Sequence, residues 1–438
     1  MTEKTQKRAS VYTLGCRLNQ SETAIIEEKL RGAGYTLVPF GEPADLGVIN
    51  TCTVTAEADA KGRKAIRGFN RKNPNAYTAV IGCYSQTDSE ALAKIKGVDL
   101  IVGTQRKLDF LDYVSTKKNA TPVIVQNGIG AADFTIEISH ESAFTRRANL
   151  KIQDGCDFNC SFCIVPRARG PARSRDMDNL LQEARSLVRC GAKEIVLTGV
   201  NIGTYRWQGQ NLVDVVNRLN EIAGLERIRI SSTEPSTVAE DLFPLMVDPA
   251  HALAPFLHIP LQSGSDKRLR LMHRRYTALE FADFLGRASC AVADLCIGTD
   301  VMVGFPGEGD AEFEETRRLL ADNPITYAHV FKFSERGGTP AAKLADRVDA
   351  KTQNARSAII RRISARKRRR FYEAHLGRRM RVLFEEQEGG LWFGYTGNYI
   401  RVGAPSDENV HNEIRTTRLE RLRSDIVLAH IEKDRPTG

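Results

Sequence analysis

Six short apolar runs in the middle of the chain, each followed by a helical pattern, constrain the fold more than any other feature. They occupy 150–152, 194–198, 227–230, 256–259, 299–303 and 327–331. Runs of this length read as strands, and strand, helix, strand repetition calls for a parallel sheet. Six such units can wrap into a partial barrel of the (β/α)6 TIM type, with reactive groups at the C-terminal strand ends. Between the first two strands, Leu180, Leu181, Ala184, Leu187 and Val188 recur at helical spacing. Asp178 is the expected cap of that helix and Gly191 its exit.

The flanks have different patterns. Near the N-terminus, runs at 10–14, 46–49 and 77–81 each lead into a turn-like segment with a cysteine, and a helical pattern from Glu22 to Arg31 ends at Gly32 and Gly34. This predicts a Rossmann-like parallel sheet. Beyond the central series comes a basic helical stretch with Arg361, Arg362, Arg366, Lys367, Arg368, Arg369 and Arg370. Runs at 380–384, 391–395 and 399–402 then read as short antiparallel strands of a small β-barrel. The expectation is an α/β protein of three domains, 1–125, 142–372 and 375–438, in keeping with 438 residues at roughly 150 per domain.

Lys and Arg number 63 against 54 Asp and Glu, a formal charge of +9 that fits a polyanionic partner or simply a basic enzyme. The first residues lack an apolar signal core, and no run of about 18 apolar residues could span a bilayer. A cytoplasmic location without membrane attachment is expected. The nine cysteines are then better explained by metal ligation or burial than by a disulfide framework.

Spacing separates those two explanations. The segment GCDFNCSFC at 155–163 places Cys156, Cys160 and Cys163 in a C-x3-C-x2-C loop directly after the first barrel strand. Three thiolates can hold three irons of a [4Fe-4S] cluster and leave the fourth open. The alternatives are a zinc site or free thiols, but no fourth Cys or His lies nearby in sequence. Cys16, Cys52 and Cys83 each follow an N-terminal strand. Parallel strands share one C-terminal edge, so these three are candidates for a second metal site, with burial as small apolar residues the alternative. Cys190, Cys290 and Cys296 lack such context and are expected to be structural. H-E-x-x-H and G-x-x-x-x-G-K-[ST] motifs are absent.

The central loop, with Phe162 before its last cysteine, resembles the hallmark of the radical S-adenosylmethionine superfamily. The resemblance implies that the open iron binds the amino and carboxylate groups of S-adenosylmethionine, and that one electron breaks the sulfonium bond to give a 5′-deoxyadenosyl radical. It places Gly199, Glu234 and Asp300, in LTGV, SSTEP and DVMVGFP, at strand ends facing the cofactor together with Phe162. Each of those segments also reads as an ordinary βα turn. His258 is a candidate for the cavity wall or for the core.

Two three-cysteine sets and a terminal β-module, with HIPLQSG at 258–264, MHRRY at 272–276, GFPGE at 304–308 and SERGGTP at 334–340, resemble the methylthiotransferase family. GCRLNQSE at 15–22 and NTCTVT at 50–55 are most similar to the branch acting on N6-threonylcarbamoyladenosine just 3′ of the tRNA anticodon. Ser85 and Thr233 depart from the expected pattern, so isopentenyl-adenosine in tRNA and an aspartate of a ribosomal protein stay open as substrates. The resemblance implies two [4Fe-4S] clusters, the one on Cys16, Cys52 and Cys83 handling sulfur. It further implies two uses of S-adenosylmethionine, a flavodoxin or ferredoxin-type electron donor, and a sulfur donor it leaves unnamed.

The terminal module resembles a TRAM domain, which implies RNA binding. Trp392, Phe393, Tyr395 and Tyr399 are candidate stacking residues, although most read as core. Arg366, Lys367, Arg368, Arg369 and Arg370 are candidates to track phosphates, or form a solvated helix face. The alternative of another class is a non-catalytic RNA-binding iron-sulfur redox sensor.

Overall fold

The computed structural model describes residues 6–115, 117–118, 120–138 and 147–432. The expected domain limits at 142 and 438 lie outside these residues.

The N-terminal part is a six-stranded sheet of β1 (Arg8–Thr13), β2 (Thr36–Val38), β3 (Leu46–Thr51), β4 (Tyr77–Gly82), β5 (Leu100–Val102) and β6 (Val123–Val125). The order is β2-β1-β3-β4-β5-β6 and every pairing is parallel. All residues of β3 and β4 are buried, as a sheet covered on both faces requires. Ile26 and Leu30 pack with Val48 and Ile81 on one face, and Ile66 packs with Ile49 and Val80 on the other. The three strands that apolar patterning missed are each only three residues long. The first helix spans Arg17–Gly32, starting earlier than expected because Cys16, with extended backbone, is its N-cap. Gly32 remains inside the helix and the chain turns with positive φ at Gly34.

The central part contains β7 (Ala148–Lys151), the hairpin pair β8 (Gln153–Asp154) and β9 (Arg173–Ser174), then β10 (Glu194–Thr198), β11 (Arg227–Ile230), β12 (Phe256–His258), β13 (Cys296–Val303) and β14 (Tyr327–Lys332). Sheets β11-β10-β7 and β12-β13-β14 are parallel throughout. Parallel bridges Ile228↔Leu253 and Ser232↔His258 join them into a partial barrel. Asp176, not Asp178, caps the helix Met177–Arg189, accepting from the Asn179 N–H at 2.7 Å. Asp178 already lies in the first helical turn, where its side chain cannot serve as the cap.

The last part is a closed barrel of β15 (Arg379–Glu388), β16 (Leu391–Thr396), β17 (Arg401–Ala404), β18 (Ile414–Arg423) and β19 (Ile426–Ile431), ordered β15-β16-β17-β19-β18. The three strands expected from sequence pair antiparallel, β15 with β16 and β16 with β17, and one further pairing, β17 with β19, is parallel. Tyr399 has φ +66 and turns the chain, so the third strand starts only at Arg401.

Buried ion pairs lock the parts together. Arg227 and Arg229 of β11 pair with Glu194 of β10 and donate to carbonyls of Tyr395, Arg381 and Gly397 at 3.1, 3.1 and 2.8 Å. The Arg17–Gly32 helix packs against β7, and the helix Ala350–Glu373 packs against β14. Among the described residues no helix is long and apolar enough to cross a membrane.

Candidate functional site

Cys16, Cys52 and Cys83 stand just past the ends of β1, β3 and β4, which are neighbours in the sheet. The chain must turn sharply to bring them close. Gly15 does so with φ +105, and a Cβ there would lie 2.7 Å from Cβ of Cys52. Burial pushes the Cys52 thiol up to about 11, with Cys83 beside it adding to the shift. Burial raises the Cys83 thiol too, while Cys16 is exposed.

The central loop hangs from β8. Gly155 enters it with φ +71, where a Cβ would sit 1.8 Å from the Pro171 carbonyl oxygen. Its backbone is pinned by the Cys156 N–H donating to Gly170 O at 3.0 Å, and by Ser161, whose Oγ donates to Leu271 O at 2.6 Å. The N–H groups of Phe158 and Val165 point at Sγ of Cys156 and Cys163, each at 3.4 Å, and Arg274 donates to Sγ of Cys160 at 3.3 Å. Burial holds the Cys156 and Cys163 thiols up at about 11 and about 12. Losing those protons needs a strong Lewis acid, and donors aimed at sulfur favour the thiolate once it forms.

None of the nine cysteines is paired in a disulfide. Among the described residues, no three His, Cys, Asp or Glu side chains close on a point that one metal ion could fill. Three thiolates on one loop and three at one sheet edge are each a donor set that would fit a [4Fe-4S] cluster, one thiolate to each of three irons.

A buried charge cluster ties the helix that follows Cys16 to the strands flanking the central loop. Glu22, on the helix that starts at Cys16, pairs with Lys107, with Lys151 at 2.8 Å and with Arg169 at 3.0 Å. Asp154 pairs with Lys151 at 2.7 Å, Arg169 at 2.9 Å and Arg173 at 3.4 Å. Burial would raise both carboxyls, yet the surrounding cations hold them below the ordinary carboxylate range. Two carboxylates thus meet four cations, and Arg169 and Lys107 act electrostatically on Cys83. That positive excess complements thiolate-bound iron.

A cavity of about 640 Å³ opens where the three parts meet. Its wall takes Cys16 and Arg17 from the N-terminal sheet edge, Gly199, His258 and Asp300 from the barrel, and Tyr395, Tyr399 and Arg401 from the terminal module. The size is that of a small-molecule site.

Two family descriptions match the chain: Uncharacterized protein family UPF0004 over residues 8–103, and Radical SAM superfamily over residues 150–320. The threonylcarbamoyladenosine tRNA methylthiotransferase MtaB of Bacillus subtilis (strain 168) is 38% identical over 92% of this chain and 91% of its own length. The chain belongs to the radical S-adenosylmethionine methylthiotransferase family. Its cofactors are accordingly [4Fe-4S] clusters and S-adenosylmethionine. A second relative within that family, the tRNA-2-methylthio-N(6)-dimethylallyladenosine synthase of Ruegeria pomeroyi, is 34% identical over 87% of this chain and 88% of its own. The radical S-adenosylmethionine methyltransferase TsrM from Kitasatospora setae has a similar fold, with TM-score 0.55 at 14% identity over 76% of this chain and 77% of that one.

The other residues singled out for this methylthiotransferase are dispersed. Gly199 and Asp300 line the cavity, with Asp300 Oδ1 3.1 Å from Nε2 of His258. Glu234 is half-buried and engaged by Arg274, the residue that also donates to Cys160. Phe162 packs beside Met272, Phe305 and Ala341. Trp392 is in the barrel core, whereas Tyr395 and Tyr399 stack 4.8 Å apart on the cavity wall. Phe393 lies under Arg401.

The basic stretch falls on several faces of one helix. Arg366, Arg369 and Arg370 are exposed, and Arg369 pairs with Glu373. Lys367 donates to Ala321 O and Asn323 O at 2.8 and 2.7 Å, closing the end of another helix, while Arg368 turns to the cavity. Of the remaining cysteines, Cys296 is buried and Cys190 half-buried, but Cys290 is exposed on its helix and serves no core. Sequence reading gave no role to Arg169, Lys107, Lys151 or Arg274. Only Arg274 lay in a motif already singled out, MHRRY.

Proposed function

We propose that this protein converts N6-threonylcarbamoyladenosine, just 3′ of the anticodon in tRNA, to its 2-methylthio derivative. One observation carries the reading: Cys16 of the strand-end triad and the barrel strands wall the same cavity. Hydrogen removal and sulfur delivery both have to reach one adenine C2, and a shared cavity gives them a common target. The degree of identity to the Bacillus subtilis relative supports the threonylcarbamoyl substrate.

In this reading Cys156, Cys160 and Cys163 hold one [4Fe-4S] cluster and Cys16, Cys52 and Cys83 the other. Bound there, the first cluster supplies the electron that cleaves S-adenosylmethionine, and the second handles sulfur. Arg274 positions Cys160 and holds Glu234 beside it. Arg169 and Glu22 fix the distance between the loop and the sheet edge. Tyr395 and Tyr399 offer faces for a base that leaves its stack, the usual mode in RNA loops. The terminal barrel acts as the RNA-binding TRAM-type domain, with exposed Arg366, Arg369 and Arg370 near phosphates. Electrons come from a reduced flavodoxin or ferredoxin-type protein, and the protein works in the cytoplasm.

Mass spectrometry of tRNA nucleosides from cells with and without the gene tests this. Loss of 2-methylthio-threonylcarbamoyladenosine with accumulation of its precursor is expected. Loss of the methylthio isopentenyl nucleoside instead would move the substrate to the other branch, and no change in either would refute a tRNA substrate.

A further inference from the structure

The three-way cavity contains cations that no acid answers. Arg229 is paired with Glu194, but among the described residues no carboxylate pairs with Arg17, Arg368 or Arg401, all half-buried in the same wall. Arg17 donates to the Tyr399 hydroxyl at 3.0 Å, which holds its guanidinium toward the two stacked tyrosines. Arg401 lies over the Phe393 ring at 5.3 Å, and among the described residues its guanidinium has no hydrogen-bond partner. Two acids share the wall. Asp300 is engaged by His258, and Asp425 is exposed.

Half-burying guanidinium groups without an anion is unfavourable, because water is lost and nothing replaces it. Arginine is also the side chain whose planar fork best matches a carboxylate. We infer that Arg17, Arg368 and Arg401 form a subsite for a carboxylate on the substituent of the target adenosine, and that it selects threonylcarbamoyl over isopentenyl groups. The inference rests on the tRNA substrate reading above. A threonylcarbamoyl group ends in a carboxylate, whereas an isopentenyl tail is wholly apolar and would strand all three cations. The cavity has room for one base with its substituent and is walled by tyrosine faces, so a substituent anion fits it better than a backbone phosphate.

Reconstituted holoenzyme, as wild type, Arg368→Met and Arg401→Met, would be given three synthetic anticodon stem-loops. These carry threonylcarbamoyladenosine, its neutral threonine amide, or isopentenyl-adenosine. The measured quantity is the ratio of kcat/KM for methylthio product between acid and amide, in which the active fraction of each preparation cancels. Wild type should favour the acid by roughly ten- to hundredfold, the worth of a charge-assisted hydrogen bond. Both variants should bring the ratio toward one. A wild-type ratio near one would overturn the subsite. So would variants that slow acid and amide by the same factor, the signature of arginines that hold phosphate. Wild-type turnover of the isopentenyl loop alone would overturn the substrate reading and the subsite together.

Discussion

Cys156, Cys160 and Cys163 lie on one short loop, whereas Cys16, Cys52 and Cys83 come from the ends of three strands. The loop is shaped locally, by Gly155 and by backbone N–H groups aimed at its own sulfurs. The other triad exists only when β1, β3 and β4 pair in register. A loop-borne set can survive damage elsewhere in the molecule, while a strand-end set depends on the stability of a whole sheet.

The largest effect should come from the loop. Cys160→Ala should reduce reductive cleavage of S-adenosylmethionine to background, read as 5′-deoxyadenosine by chromatography. Normal yield from that variant would remove the radical assignment. Cys52→Ala should stop methylthio product while 5′-deoxyadenosine continues to form. If both products vanish together, the two triads are one functional unit.

Glu22 tests the joint between them. Its carboxylate is fully buried among Lys107, Lys151 and Arg169, and Glu22→Gln leaves those cations short of charge. Breaking a buried ion pair from one side costs about 3–5 kcal/mol. Urea unfolding should show that loss, with iron bound by the strand-end triad released before iron on the loop. Equal release from both would show that the sheet edge is no more fragile than the loop.

The same contrast explains what could be read in the sequence. Apolar runs located β10, β11 and β14 and the loop triad, because those signals are local. β2, β5 and β6 escaped because three residues carry too little periodicity. The strand-end triad was legible only by combining strand prediction with the shared edge of parallel sheets. Arg169 and Glu22 could not have been paired from sequence, since the contact joins the first helix to a residue beyond the central loop. Likewise Lys367 and Arg368 are neighbours in the chain, yet helical geometry sends one to a helix end and the other to the cavity.

A smaller effect is expected at the seam between barrel and terminal module. Burial would raise the Glu194 carboxyl, but Arg229 and Arg227 bring it from an ordinary 4.5 to about 2. Stability from this group is therefore complete above about 4.5 and is lost as pH falls toward 2. The loss is about 3 kcal/mol by linkage. Glu194→Gln should flatten acid unfolding across that window, followed by far-ultraviolet circular dichroism. An unchanged acid limb would mean that other carboxyls control it.

The smallest effect is expected at Arg274, which of the two triads touches only the loop one. Arg274 donates to Cys160 Sγ but is not among the groups acting on Cys52 or Cys83, which instead feel Arg169. A cationic donor on a ligating sulfur stabilises the reduced, more negative cluster, so removing it should make reduction harder. Arg274→Met should shift the loop cluster's potential negative by a few tens of millivolts, less than the ~59 mV that marks a tenfold change in a one-electron couple. The strand-end cluster should not move in the same redox titration followed by electron paramagnetic resonance. A parallel shift of both signals would mean that the charge cluster around Glu22 couples them, and that the two sites are not independently tuned.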